Sequence, residues 1–279
     1  MELAKFVYKD LVRSALAEDL GTGDLTSALT IPANTPGSGR FMAKANGVIC
    51  GWSLVQEVFH QLNPSVFLDL HQPDGAQVQA GDLLAVISGP VQDLLSGERV
   101  ALNFLQHLSG IATTTRELVD LMADFPRVRL VDTRKTLPGL RAIQKYAVRV
   151  GGGYNHRFNL ADAVLIKDNH LKACGSIDAA VAKVRAAVPH TMKIEVEVES
   201  EAEVREALAA EADIIMLDNM SPAMMTAMVQ LIDGRALVEA SGNISKETIR
   251  TIAACGVDLI SVGRLTHSVQ ALDISLQLV

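Results

Sequence analysis

Arg134, Lys135, Arg157 and Lys167 fall in the segments VDTRKTLPGLR, GGGYNHRF and VLIKDNH of a chain that is otherwise acidic. Between Arg127 and Lys172 there are ten Lys and Arg against three acids (Asp132, Asp162, Asp168), a local excess of +7 within a net charge of −7. A guanidinium is a rigid fork for carboxylate or phosphate, and an ammonium is a mobile point charge. The island therefore suits a small, dense anion: a dicarboxylate, a pyrophosphate, or both. A nucleic-acid binder would spread its charge more widely and carry more than 4% aromatics for stacking.

Acids follow. In KIEVEVES the strand period of two puts Glu195, Glu197 and Glu199 on one face. Asp218 ends the run IIMLD. Carboxylates at neighbouring strand ends suit Mg²⁺, ribose hydroxyls, or positive charge developing on a sugar ring. Ion pairing with the basic island is the plainer account of some of them. Gly151, Gly152 and Gly153 before Asn155, His156 and Arg157 suggest a loop whose backbone can approach a ligand. A lone histidine is ordinarily a core group bonded to backbone, but the place beside Arg157 points His156 toward the ligand. EASGNIS and ISVGRLTHS set small residues (Ser241, Gly242, Asn243, Ser261, Val262, Gly263) at two consecutive strand ends, with Ser245 a candidate N-cap. That pair reads as a phosphate cradle.

The elements that must position these residues are legible. Apolar runs at Arg129–Asp132, Ala163–Ile166, Lys193–Val198, Ile214–Leu217, Leu237–Ala240 and Leu259–Val262 alternate with helical patterns at Ile177–Val188, Glu201–Ala210, Pro222–Leu231 and Ser245–Ala254. Alternating βα units make a parallel sheet, and its buried strands read as continuous apolar runs. An open doubly wound sheet and a closed barrel both fit; six similar units without a dinucleotide-type glycine turn favour the barrel. The strands exit into Thr133-Arg134-Lys135, Lys167-Asp168, Glu199-Ser200, Asp218-Asn219, Ser241-Gly242-Asn243 and Gly263-Arg264, which a barrel would gather at one mouth. Upstream, RFMAKANGVICGW, SVFLDL and DLLAVIS, broken by NPS, PDG and SGP, read as a more antiparallel sheet behind an amphipathic leading helix. A helical pattern from Val91 leads on. The expected division is an N-terminal α/β domain, residues 1–108, and a catalytic α/β barrel, residues 109–279. Cys50, Cys174 and Cys255 are scattered, as expected of reduced thiols in a cytoplasmic protein. No apolar run is long enough to cross a bilayer.

With these pieces assembled, the chain resembles the quinolinate phosphoribosyltransferase family over nearly its whole length. GDLTS, SGERVALNFLQHLSGIAT, DTRKTLPGLR, KYAVRVGGGYNHR, LIKDNH, IEVEVES, IMLDN, EASGN and SVGRLTHS carry the match. The resemblance implies an α/β, sandwich-like N-terminal domain joined to an incomplete TIM-like barrel. It implies transfer of phosphoribose from 5-phosphoribosyl-1-pyrophosphate to quinolinate, with Mg²⁺ and loss of CO₂. By the same token Lys135, Lys167, Glu197 and Asp218 would be catalytic. Thr133, Arg134, Lys135, His156, Arg157 and Lys167 would hold substrate, Glu197 and Asp218 the ribose and metal. Ser241, Gly242, Asn243, Ser261, Val262 and Gly263 would hold phosphate. Arg99 matches an arginine that reaches a neighbouring subunit's site, implying a homodimer or hexamer. Neither nucleic acid nor membrane is an expected partner. In NHRFNLAD, Asn159 stands where glycine is common in the family. The rivals are a barrel aldolase using Lys167 as a Schiff-base nucleophile, the molybdenum-locus relatives that share DTRKT, and a polyanion-binding module.

Overall fold

The structure, a computed structural model, describes residues 3–279. In chain order the strands are β1 (Pro36–Ala43), β2 (Gly47–Val48), β3 (Phe67–Leu70), β4 (Gln77–Val78), β5 (Leu83–Pro90), β6 (Arg129–Val131), β7 (Val164–Ile166), β8 (Ile194–Val198), β9 (Ile214–Asp218), β10 (Leu237–Ser241), β11 (Leu259–Ser261) and β12 (Ile274–Leu278). Two compact units share them and interleave along the chain. The first comprises Met1–Arg116, Thr136–Gly152 and Leu265–Val279; the second comprises Glu117–Lys135 and Gly153–Arg264. Compactness thus draws a different line from a single cut after residue 108. The reason is local: β12 returns to pair with β1, and Gly151 packs on the helix Val91–Leu121.

In the first unit an antiparallel sheet runs in the order β12-β1-β5-β3. Three of these strands match the runs read from the sequence; β12 was not foreseen. The helix Lys5–Leu20 buries Tyr8, Val12 and Leu16, a stripe at four-residue spacing, and leaves its charged face in water. The helix Trp52–Leu62 buries Trp52, Leu54, Val55, Val58 and Phe59. Phe41 meets Trp52 edge-on at 5.5 Å between ring centroids. Each such side chain removed from water contributes roughly 1.5–3 kcal/mol. The glycine triplet behaves differently from expectation. A Cβ on Gly151 would lie 2.5 Å from the Ala112 carbonyl, so the close approach that needs glycine is to the chain's own helix.

The second unit is a six-stranded, wholly parallel sheet in the order β6-β11-β10-β9-β8-β7. Its first strand pairs with its last, so the sheet has curled into a barrel. The ring is open between β6 and β7. Tyr154 bridges to Val131 there, its carbonyl accepting from Asp132 N–H at 3.1 Å, with Arg129 over its ring at 4.9 Å. This is the incomplete barrel that the resemblance implied.

Alternation along the strands decides what faces inward. On β8, buried Ile194, Val196 and Val198 alternate with Glu195 and Glu197; on β10, Val238 and Ala240 alternate with Glu239 and Ser241. Helices are started by the polar residues that follow strands. Ser200 accepts from Glu203 N–H while Glu203 reaches back to the Ser200 backbone, and Ser221 accepts from Met224 N–H with Pro222 in the first turn. The helix read as Ser245–Ala254 is shorter, Ile249–Ala253, with Thr248 as its N-cap. Ser245 spends its hydroxyl on Glu247 at 2.5 Å instead of capping.

Candidate active site

At the C-terminal ends of the barrel strands lies a cavity of about 290 Å³. Thr133 and the four cations Arg134, Lys135, Arg157 and Lys167 line it with His156, Ser241 and Ser261. The basic island of the sequence is therefore one site in space. Each cation has a fixed origin. Thr133 Oγ1 accepts from Lys135 N–H at 3.0 Å, tightening the turn out of β6. Arg157 donates through Nη1 to the Ala163 carbonyl at 2.8 Å. Burial, then repulsion from Arg134, lowers the Arg157 pKa, while Glu195 and Asp162 oppose the fall. Lys167 is anchored by its backbone N–H, which donates to His170 Nδ1 at 2.9 Å, and its ammonium is ion-paired with Glu197.

Glu197 and Asp218 sit at the ends of neighbouring strands, on the rim and not in the cavity wall. Asp218 pairs in register with Ser241, and its Oδ2 accepts from Asn219 Nδ2 at 2.7 Å. Glu199 is exposed. The loop of Ser241, Gly242 and Asn243 has a steric reason for its glycine. Gly242 has φ +96°, and a Cβ there would stand 2.1 Å from Asn219 Oδ1. Asn243 Nδ2 donates to that same oxygen at 3.2 Å, which ties the β9 and β10 exits together. Val262 is buried and gives its N–H to the Val131 carbonyl at 3.0 Å, continuing the pairing of β11 with β6, whereas Gly263 is partly exposed beside it. Arg99 belongs to the first unit and is exposed on the helix Val91–Leu121.

Two groups, Asp132 and Glu239, were missed by the sequence reading, and a third, Glu195, was seen without its place in the barrel. Asp132, fully buried, accepts from His156 N–H at 2.9 Å and from Asn155 Nδ2 at 2.6 Å, holding the NHR loop. Glu239 and Glu195 lie inside the barrel, 1% and 3% exposed, with His156 Nε2 at 3.7 and 3.1 Å from their oxygens. Burial, and then the neighbouring Glu195 charge, pushes the Glu239 pKa up to about 7. A signal existed: a glutamate at the centre of the apolar run LVEA has no reason to be there unless it faces something polar. His156 was expected to hold substrate directly. Its Nδ1 accepts from Arg157 N–H at 2.8 Å and its Nε2 faces Glu195, so both ring nitrogens are engaged within the protein.

Cations in a barrel mouth, acids on its rim and a glycine-pinned loop beside them define an enzyme of small, polyanionic substrates. The comparisons agree with that class. The family model for the quinolinate phosphoribosyl transferase N-terminal domain matches residues 24–109, and that for the C-terminal domain matches residues 111–277. The chain is 47% identical over 268 residues to a probable nicotinate-nucleotide pyrophosphorylase (carboxylating) of Bacillus subtilis, covering 96% of this chain and 92% of that protein. It is 45% identical over 278 residues to the nicotinate-nucleotide pyrophosphorylase (carboxylating) of Mycobacterium leprae, covering 97% and 96%. The crystal structure of NadC from Streptococcus pyogenes superposes with a TM-score of 0.97 at 45% identity, covering 100% of this chain and 99% of that one. The chain belongs to the quinolinate phosphoribosyltransferase family. No helix among the described residues is long and apolar enough to cross a membrane.

Proposed function

We infer that this chain transfers the phosphoribosyl group of 5-phosphoribosyl-1-pyrophosphate to quinolinate with loss of CO₂, giving nicotinate mononucleotide and pyrophosphate in NAD biosynthesis. The observation that carries this reading is the convergence of Arg134, Lys135, Arg157 and Lys167 on one cavity in a chain of this family. Quinolinate brings two adjacent carboxylates. Two guanidiniums can grip them, and binding relieves the repulsion between Arg134 and Arg157. Fixing both carboxylates aims the ring nitrogen at the anomeric carbon, a gain of proximity and orientation.

The nitrogen lone pair then forms the new bond as the bond to pyrophosphate breaks. Lys135 and Lys167 meet the charge on the leaving group. Glu197 and Asp218 stabilise positive charge on the ribose ring from the rim. Once the ring nitrogen is cationic, the adjacent carbon–carboxylate bond breaks. Its electron pair stays on the ring carbon beside that cation, and a proton from solvent replaces CO₂. Ser241, Gly242, Asn243 and Gly263 hold the ribose phosphate. The carboxylates of Glu197 and Asp218 are hard oxygen donors that fit Mg²⁺, which would be held with the pyrophosphate and neutralise it. Arg99, exposed on its helix, serves the site of a second copy in a homodimer or hexamer, and the protein works in the cytoplasm.

The test is incubation with 5-phosphoribosyl-1-pyrophosphate, Mg²⁺ and quinolinate carrying a labelled carboxylate next to the ring nitrogen. Nicotinate mononucleotide and labelled CO₂ are expected, with no product when nicotinate replaces quinolinate. Product from nicotinate alone overturns the reading. Mixing inactive Arg99→Ala and Arg157→Ala proteins under exchange conditions tests the shared site: activity should return in part, and a mixture as inactive as its parents rules it out.

A further inference from the structure

We propose that Glu195 and Glu239 are positioning residues for the quinolinate site, holding His156 in one tautomer so that its ring fixes the Arg157 backbone at the cavity wall. The proposal rests on the reading above for the substrate; the hydrogen-bond geometry stands independently of it. Because His156 Nδ1 accepts the Arg157 N–H at 2.8 Å, it carries no proton, and the ring proton must sit on Nε2. That nitrogen points at Glu195 Oε2 (3.1 Å) and Glu239 Oε1 (3.7 Å). Asp132 pins the same loop from the other side through the His156 N–H at 2.9 Å. The backbone that carries Arg157 is thus held by acids at both ends of the His156 residue.

Stability alone does not account for this arrangement. Glu195 Oε1 and Glu239 Oε1 are buried without a hydrogen-bond partner among the described residues. Replacing a whole buried cluster of this kind, histidine included, by apolar side chains of similar volume is often neutral or stabilising. The three side chains also lie close enough together to suggest a metal site, with ligand atoms within 4.8 Å of one another. A histidine that ligates through Nε2 gives up the proton there, and Nδ1 would then confront the Arg157 N–H with a second donor. The geometry assigns the His156 Nε2–H to Glu195 Oε2 at 3.1 Å, with the Glu239 carboxylate beside it as an electrostatic neighbour at 3.7 Å.

The experiment combines nitrogen NMR of histidine-labelled enzyme with steady-state kinetics, using His156→Asn to identify the His156 signal. Wild type and Glu195→Gln, which keeps an acceptor, should show the Nε2–H tautomer and similar kinetics. Glu195→Leu should lose that signature and raise KM for quinolinate roughly ten-fold, while KM for 5-phosphoribosyl-1-pyrophosphate stays within about two-fold. A wild-type ring protonated at Nδ1, or a Zn²⁺ titration that shifts the His156 signal, overturns the proposal. So does an unchanged quinolinate KM in an active Glu195→Leu enzyme. If Glu195→Leu fails to fold, Glu239→Leu is read in the same way, and the wild-type tautomer remains decisive. Absence of nicotinate mononucleotide from the wild type sinks the functional reading, and the quinolinate part of the proposal with it.

Discussion

Glu195 and Glu197 leave the same face of the same strand, one turn of the pleat apart, yet they inhabit different surroundings. Glu197 reaches the rim, where it ion-pairs with Lys167 in partial contact with water. Glu195 is 3% exposed in the throat below, where it meets His156 and shares a low-dielectric space with Glu239. Charge at the mouth is solvated until substrate arrives, so it can be spent on binding. Charge in the throat is already committed, and its energy depends on protons and on internal partners. The barrel thus keeps the solvated charges of its mouth and the buried charges of its throat in separate layers.

Breaking the mouth should have the largest effect. Arg157→Ala removes a half-buried guanidinium that, on the proposed function, meets a quinolinate carboxylate, and truncating one member of such a pair costs about 3–4 kcal/mol. kcat/KM for quinolinate should fall roughly 10²–10³-fold, with little change in melting temperature. A variant with wild-type kinetics would remove Arg157 from the site.

The throat should respond in stability and with a pH signature. Glu239 faces Glu195 on β8, His156, the Ser261 hydroxyl on β11 and Lys167 after β7. Its folded-state pKa of about 7 lies above the ordinary value of 4.5, so the folded protein binds this proton more tightly than the unfolded chain does. The resulting stability is fully present below about pH 4.5 and is lost as pH rises through 7. Glu239→Gln is neutral throughout and should be matched with wild type at pH 4.5. By pH 8 it should be the more stable by about 3 kcal/mol. Urea denaturation at the two pH values checks this; parallel curves would show that Glu239 ionises as freely as a surface glutamate.

Most of the mouth could be read from the sequence, because Arg134, Lys135 and Lys167 stand just after apolar runs whose β character is plain and Arg157 ends a glycine-rich loop between two of them. The throat could not. Glu195 was visible as one of three alternating acids, but nothing in KIEVEVES tells which of them the barrel swallows. Glu239 was hidden in LVEA, since a single acid in a strand acquires meaning only when register sets Glu239 beside Met216 and Leu259 in the curled sheet. Asp132 was read as the end of a strand, and only the bridge from Val131 to Tyr154 brings the NHR loop onto it. Long-range pairing hid β12 too. Ile274–Leu278 is a short run far along the chain from β1, and nothing local marks its partner.

The rim should give the smallest effect on turnover and the most selective effect on substrate. Gly242→Ala puts a methyl 2.1 Å from Asn219 Oδ1 at a φ of +96°. Relief requires the Asn219 amide to swing away, which breaks its bond from Asn243. The strain is local to an exposed turn and should cost roughly 1–3 kcal/mol of stability. Because the loop joins the β9 and β10 exits, its displacement moves Asn243 and Ser241 together and leaves Arg134 and Arg157 in place. KM for 5-phosphoribosyl-1-pyrophosphate should rise while KM for quinolinate holds. If both constants rose together, rim and mouth would have to be treated as one mechanical layer, and the division would lie only between them and the throat.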